Sequence, residues 1–300
     1  MRMFVSASRI AAAGLLLALG GACKPSGTAS PEAKGAAVDG KEHAFFDGEG
    51  KPVELAGFIA GLADVDLVGF GEFHNHAVGS EVELAVLTGM AAQARPVALA
   101  MEFFEADQQA ALDEYLAGAS DESDFRRRTR RDAKYDDSHR PLIEFAKARG
   151  IPVIAANAPR ALVTAYRKSG QPYQAWLATR TEAERAVLPA SSIPPDDEFK
   201  ARFLATMGPE RGRAFYPSMC LWNDAMAEAA AEFRATHPQH RVLLVVGGYH
   251  VARHLGVVTQ YLARRPGEVV KVLLMSLAEG PMAFAGADRG EGDLILKVRG

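Results

Sequence analysis

Cysteine is almost missing from this 300-residue chain, which has only Cys23 and Cys220. Neither sign of charge dominates: the formal net charge is −3, so a general nucleic-acid binder is excluded. Beyond the first residues no apolar run is long enough to span a bilayer. A Gly-x-Ser-x-Gly elbow is also lacking, which argues against a serine nucleophile of the α/β-hydrolase kind. No internal repeat of solenoid length is present. What remains is ordinary for a globular protein with a sizeable core, 48% hydrophobic and 24% charged. The length allows one large domain or two small ones.

The N-terminus reads as a secretory signal over residues 1–22: Arg2 and Arg9, then the apolar stretch 10–19, then Gly20, Gly21 and Ala22. Cys23 follows at once, so the segment looks like a bacterial lipoprotein signal with Cys23 as the lipidated residue. Gly20 stands where such signals carry Leu, and Leu19 is one position further back. Removing residues 1–22 moves the formal charge from −3 to −5. Once Cys23 is acylated it has no disulfide to form. Cys220, within Met219-Cys220-Leu221-Trp222, reads as a packed thiol. Residues 23–41 are rich in Gly, Ala, Ser and Pro and read as a flexible tether, leaving 42–300 as a single domain.

Within that domain, apolar runs alternate with helical periodicity. Strands are expected at 66–70, 97–101, 151–155, 241–246 and 269–275, with an added edge strand at 293–298. A hairpin is expected at 44–55, turning at 47–50. Helices are expected near 58–62, 80–94, 106–116, 141–149, 160–168, 173–180, 210–235 and 257–265, the seventh interrupted near Pro217. Residues 181–209 lack a clear pattern. The βα alternation predicts an α/β fold with a parallel sheet. Residues 119–140 and 171–235 read as helical insertions.

The chemistry concentrates where strands end. The stretch 66–76 closes an apolar run with Gly71, then brings Glu72, His74 and Asn75 within four residues. The next strands end in Glu102, in Asn157 with Arg160, and in Gly247-Gly248-Tyr249-His250. In a parallel sheet with right-handed crossovers these ends share one edge, so residues far apart in sequence converge on one crevice. Gly71 and Gly247 both open a Gly-x-x-His pattern, read as a sharp backbone turn that leaves the imidazole facing the crevice. Glu72, His74, Glu102 and His250 are therefore the candidate catalytic group, and also a candidate divalent-metal set, although their spacing matches no compact zinc motif. Asn75, Asn157, Arg160 and Tyr249 are candidate ligand-binding residues. The bland alternatives are a satisfied strand-end Glu with a surface His, and a core or capping role for His250. For Arg126, Arg127, Arg128, Arg130 and Arg131 the bland alternative leads: a solvated helix face with local ion pairs. Its functional readings are recognition of a ligand's carboxylates by arginine or attraction to anionic lipid headgroups.

These blocks resemble the ChaN-like haem-binding lipoproteins, a branch of the superfamily that also holds erythromycin esterases. The resemblance rests on Gly71-Glu72-x-His74-Asn75, on Ala100-Met101-Glu102-Phe103 with Gln108, and on the run from Ile151 through Asn157 and Pro159 to Arg160. It continues through Trp222-x-Asp224-x-Met226-Ala227 and Gly247-Gly248-Tyr249-His250-Val251. It implies a three-layer α/β/α core with a small parallel sheet and additional helices. It also implies haem as cofactor, iron uptake, an outer-membrane anchor facing the periplasm, and a homodimer that stacks two haems. The axial ligand in the family is a Tyr assisted by a His, and Tyr135 and His139 stand in the matching neighbourhood. This segment carries arginines where the family has aromatic residues.

Two other classes stay open. One is a hydrolase, metal-dependent or not, with Glu72 or Glu102 as general base and His74 or His250 as its partner or a metal ligand. The other is a non-catalytic scaffold lipoprotein with a vestigial crevice.

Overall fold

The computed structural model describes residues 42–195 and 197–300. The signal-like segment 1–22, the tether 23–41 and Cys23 lie outside the described residues. The first half of the domain runs β1 (His43–Asp47), α1 (Leu55–Ala60), β2 (Leu67–Glu72), α2 (Ala77–Ala91), β3 (Val97–Glu105), α3 (Gln109–Leu116), α4 (Glu122–Thr129), α5 (Lys134–Asp137), α6 (Arg140–Arg149) and β4 (Val153–Asn157). The second half runs α7 (Arg160–Ser169), α8 (Tyr173–Leu177), α9 (Glu182–Arg185), α10 (Glu198–Met207), α11 (Pro209–Thr236), β5 (Arg241–Gly247), α12 (Val257–Arg264), β6 (Val270–Leu277) and β7 (Leu294–Val298).

The sheet order is β1-β7-β6-β2-β5-β3-β4, parallel throughout except for β1. Successive strand residues point to opposite faces, so the near-continuous apolar strands feed two cores. Val68, Phe70, Leu99, Met101, Leu243 and Val245 pack with α2, α3 and α6 on one face. Leu67, Ala100, Val242, Leu244 and Val246 pack with α11 and α12 on the other. The result is a three-layer α/β/α core. Arg241 enters it without any exposure. Its guanidinium reaches the carbonyls of Leu62 (3.2 Å), Met90 (2.6 Å) and Arg95 (2.6 Å), and so satisfies carbonyls around the C-terminal end of α2.

Several local expectations change in the folded chain. The expected hairpin is confined to one bridge, Phe46 with Pro52, flanked by the Asp47 N–H on the Lys51 carbonyl (2.9 Å) and the Val53 N–H on the Phe45 carbonyl (3.1 Å). The expected turn is present: Asp47 Oδ1 accepts from the N–H groups of Glu49 and Lys51. β1 pairs instead with β7, so β7 is an inner strand rather than an edge. α11 runs through Pro217 without a break, since one proline removes one donor while α7, α10 and α12 pack along the helix. The stretch without a clear pattern contains α10, capped by Asp197 and buried through Phe199 and Phe203, one turn apart. Cys220 is buried, and burial pushes its thiol up to about 12. Among the described residues no helix is long and apolar enough to cross a membrane.

Candidate functional site

β2, β5, β3 and β4 are consecutive neighbours and parallel, so their C-terminal ends lie side by side. The pairing of Glu72 with Gly247 places the two Gly-x-x-His turns next to each other. In both turns the glycine is required by space rather than by backbone twist. A Cβ on Gly71 would lie 2.6 Å from Leu274 Cδ1 and 2.9 Å from Gly248 Cα. A Cβ on Gly247 would lie 3.0 Å from His74 Cε1 and 3.4 Å from Glu102 Oε2. Neither residue has a positive φ, so the expected sharp turn is in fact a close approach.

Glu72 is buried between two imidazoles. Its Oε1 lies 2.8 Å from His74 Nδ1 and its Oε2 3.1 Å from His139 Nε2. An ionised carboxylate only accepts, so both of these ring nitrogens carry protons. Burial by itself would raise the Glu72 pKa, but the His139 and His74 hydrogen bonds prevail and hold it far below the carboxylate range. The same bond to Glu72 raises His74 against the opposing effect of burial. With Nδ1 committed, His74 presents Nε2, which makes no hydrogen bond among the described residues, and its side chain is 43% exposed.

Glu83 reaches this group from α2 with no solvent exposure, and its hydrogen-bond partner is the Glu72 carboxylate beside it. Burial first, and then the Glu72 charge, hold its carboxyl well above the usual range, which favours the protonated form that donates to Glu72. Ligand atoms of Glu72, Glu83 and His139 all lie within 4.8 Å of one another, the one such trio among the described residues. The four-residue metal set expected from the strand ends does not gather in this way. Glu72 turns both its oxygens to imidazoles, and Glu102 turns to β5.

Glu102 Oε2 accepts the Gly247 N–H at 2.6 Å, and its Oε1 lies 3.7 Å from His250 Nε2. His250 is buried, with Nδ1 2.6 Å from Asn223 Oδ1, and burial lowers its pKa despite the nearby Glu102 charge. Glu72, His74, Glu102 and His250 thus form one continuous group at one sheet edge.

A cavity of about 790 Å³ opens over this edge, lined by His74, Glu102, Phe103, Asn157, Arg160 and Trp222, with Asn75, Arg130, Lys134, Tyr135 and His139 also on its wall. The Phe103 ring stacks on His139 at 3.8 Å, and the Arg160 guanidinium lies over Trp222 at 6.0 Å. Two polar atoms of the lining, Asn157 Oδ1 and Tyr135 Oη, are buried without a partner, which is unusual unless a ligand or water completes them. A second cavity, of about 450 Å³ beside α3 and α6, lies away from this convergence.

Tyr135 and His139 do not stand as a pair of open ligands. The Tyr135 side chain is buried against Phe125, and burial holds its hydroxyl well above the usual phenol range. Both His139 nitrogens are engaged, Nε2 by Glu72 and Nδ1 by Ser138 Oγ at 3.4 Å. Tyr249 turns away from the cavity and packs on Phe199 and Phe203 beneath α10. The arginine run forms local pairs: Arg126 with Glu122, Arg128 with Asp124, and Arg130 with Glu105. Sequence reasoning passed over Glu83, Asn223 and Phe103 as site residues. The available signal for Glu83 was a carboxylate on the buried stripe of α2, between Gly79 and Val86.

Comparison with known proteins follows the same lines. A family model described as haem-binding uptake, Tiki superfamily, ChaN, matches residues 58–261, about two-thirds of the chain. No curated protein matches. Among solved structures, ChaN of Campylobacter jejuni with cofacially bound haem superposes with a TM-score of 0.64 at 15% identity, covering 87% of this chain and 98% of that one. At that identity the likeness is one of fold. An erythromycin esterase, EreC, in its open conformation gives a TM-score of 0.47 at 13% identity, over 78% of this chain and 77% of that one.

Proposed function

This chain belongs to the haem-binding uptake family of the Tiki superfamily, ChaN, and from that premise we propose that it binds haem in the cavity over the strand ends. A porphyrin needs an apolar wall, a donor for its iron and cations for its propionates. Phe103 and Trp222 supply the wall, and His74 Nε2 is the donor. Arg160 and Lys134 have no ion-pair partner among the described residues and are placed to take carboxylates. The single observation carrying this reading is the open His74 Nε2, held in orientation by the buried Glu72 at Nδ1. Bound haem would supply an iron centre with strong visible absorption. The chain's own contribution is to hold that ring, keep His74 in the right tautomer and limit the access of water.

The same reading makes the protein an exported lipoprotein, anchored through Cys23 at the outer membrane, facing the periplasm and serving iron uptake. Two protomers pair over stacked haems. The signal-like segment supports the first part, and the cofacial haems bound by the Campylobacter jejuni protein support the second. The test is a haem titration of the full chain followed by its Soret band. Wild-type protein should give a saturable shift, and His74→Ala should weaken binding about tenfold or more and move the band. Absence of any shift in the wild type would remove haem from the account. An unaltered spectrum in His74→Ala would assign the iron to another donor.

A hydrolytic reading has one observation in its favour: His74 Nε2 and Glu102 Oε2 each lie 3.4 Å from where a Cβ on Gly247 would stand, on the wall of the open cavity. Screening esters and amides with wild type and Glu102→Gln tests it. Turnover by the wild type that is lost in the variant is the outcome it requires.

A further inference from the structure

We propose that Glu72, Glu83 and His139 bind one first-row divalent cation, such as Zn²⁺, Mn²⁺ or Fe²⁺, at a buried site behind His74. The three residues come from the end of β2, the middle of α2 and the entrance to α6, yet their ligand atoms lie within 4.8 Å of one another. Direct ligation at about 2.0–2.2 Å separates neighbouring ligand atoms by about 3–4 Å, so only a small inward movement of side chains is needed.

Glu83 is the independent pointer to a ligand. It is fully buried against the Glu72 carboxylate, and the hydrogen bond between the two acids needs a proton whose place a divalent cation can take. A cation bound there takes the place of the Glu83 proton, which leaves to solvent, while His139 carries its own proton on Nδ1, toward Ser138 Oγ, and frees Nε2 to ligate. The surroundings are also built for it. Ser138 Oγ holds His139 Nδ1 at 3.4 Å, so Nε2 faces inward. His74 holds the outer oxygen of Glu72, leaving Oε2 on the inner side with His139. Two carboxylates and one imidazole suit borderline ions rather than soft ones. Ca²⁺ needs six to eight oxygens, which this set does not supply. Ser138 and His139 line the haem cavity, which gives an ion its way in.

The test uses the full chain, free of haem and stripped with EDTA, titrated calorimetrically with Zn²⁺ and with Mn²⁺ and then checked for retained metal after dialysis. One equivalent should bind with at least one of the two ions, with Ca²⁺ giving no saturable heat. Glu83→Gln keeps the shape of a neutral acid and should fold as the wild type does, while lowering affinity about tenfold or more. His139→Gln, with folding checked by circular dichroism, should do the same. Glu102→Gln changes the cavity but not this trio and should bind as the wild type does. Absence of a one-equivalent site, or full affinity in Glu83→Gln, would overturn the proposal. So would loss of binding confined to Glu102→Gln. None of these measurements requires haem to bind, so the two readings can fail separately.

Discussion

Glu72 Oε2 and His139 Nε2 lie 3.1 Å apart although 67 positions separate the two residues in the chain. Through this contact the segment between α5 and α6 becomes part of the strand-end site. It also leaves one Glu72 oxygen to orient His74, so a single buried carboxylate fixes two imidazoles at once.

Glu83→Gln should stabilise the metal-free protein, and increasingly so at higher pH. The Glu83 carboxyl is held well above its ordinary value of 4.5. The folded protein therefore keeps a proton that the unfolded chain releases, and this group's contribution is fully present below pH 4.5 and lost as pH rises toward the folded value. Glutamine cannot ionise, so the decline disappears. Melting in EDTA should show a gain of about 1–3 kcal/mol near neutrality that shrinks toward pH 4.5. A gain that is the same at every pH would contradict a neutral buried acid.

Gly71→Ala and Gly247→Ala should separate stability from binding. At Gly71 the new methyl meets backbone at Gly248 Cα, 2.9 Å away, and should cost about 1–3 kcal/mol in denaturant unfolding. At Gly247 the methyl meets the half-exposed His74 ring, which can move. Stability should then change by about 1 kcal/mol or less, while haem titration shows a clear loss of affinity. Equal unfolding costs for the two variants would refute the distinction.

Tyr135→Phe removes a buried hydroxyl that has no partner. Its melting temperature should hold or rise, by the equivalent of up to about 1 kcal/mol. Its haem spectrum should match the wild type if His74 is the donor. A lost or shifted Soret band would mean that Tyr135 swings out to the iron when haem binds.

Cys23→Ser should leave the protein exported but no longer attached to membrane. Detergent-phase partitioning of cell fractions reads this directly, and a variant still found in the detergent phase would count against lipidation at Cys23.

The sequence by itself determined the layered architecture and the address of the site. Apolar runs of strand length, separated by helical periodicity and ended by Glu72, Glu102, Asn157 and the His250 turn, can bury their surface only as a parallel sheet covered on both faces, and such a sheet sets its strand ends along one edge. Only the tertiary structure decided which atoms meet there. Insertion of β5 between β2 and β3 is a long-range choice of pairing, and it is what brings Gly247 against both His74 and Glu102. The same holds for Glu83 and His139, whose local patterns read as a mid-helix acid and a residue in a charged segment. It holds for Tyr249 too, whose place in a motif pointed to the cavity while its ring found Phe199 and Phe203 under α10. Periodicity reports the face of an element on which a side chain stands. The group it meets depends on how the elements cross, and that is settled by packing across the whole chain.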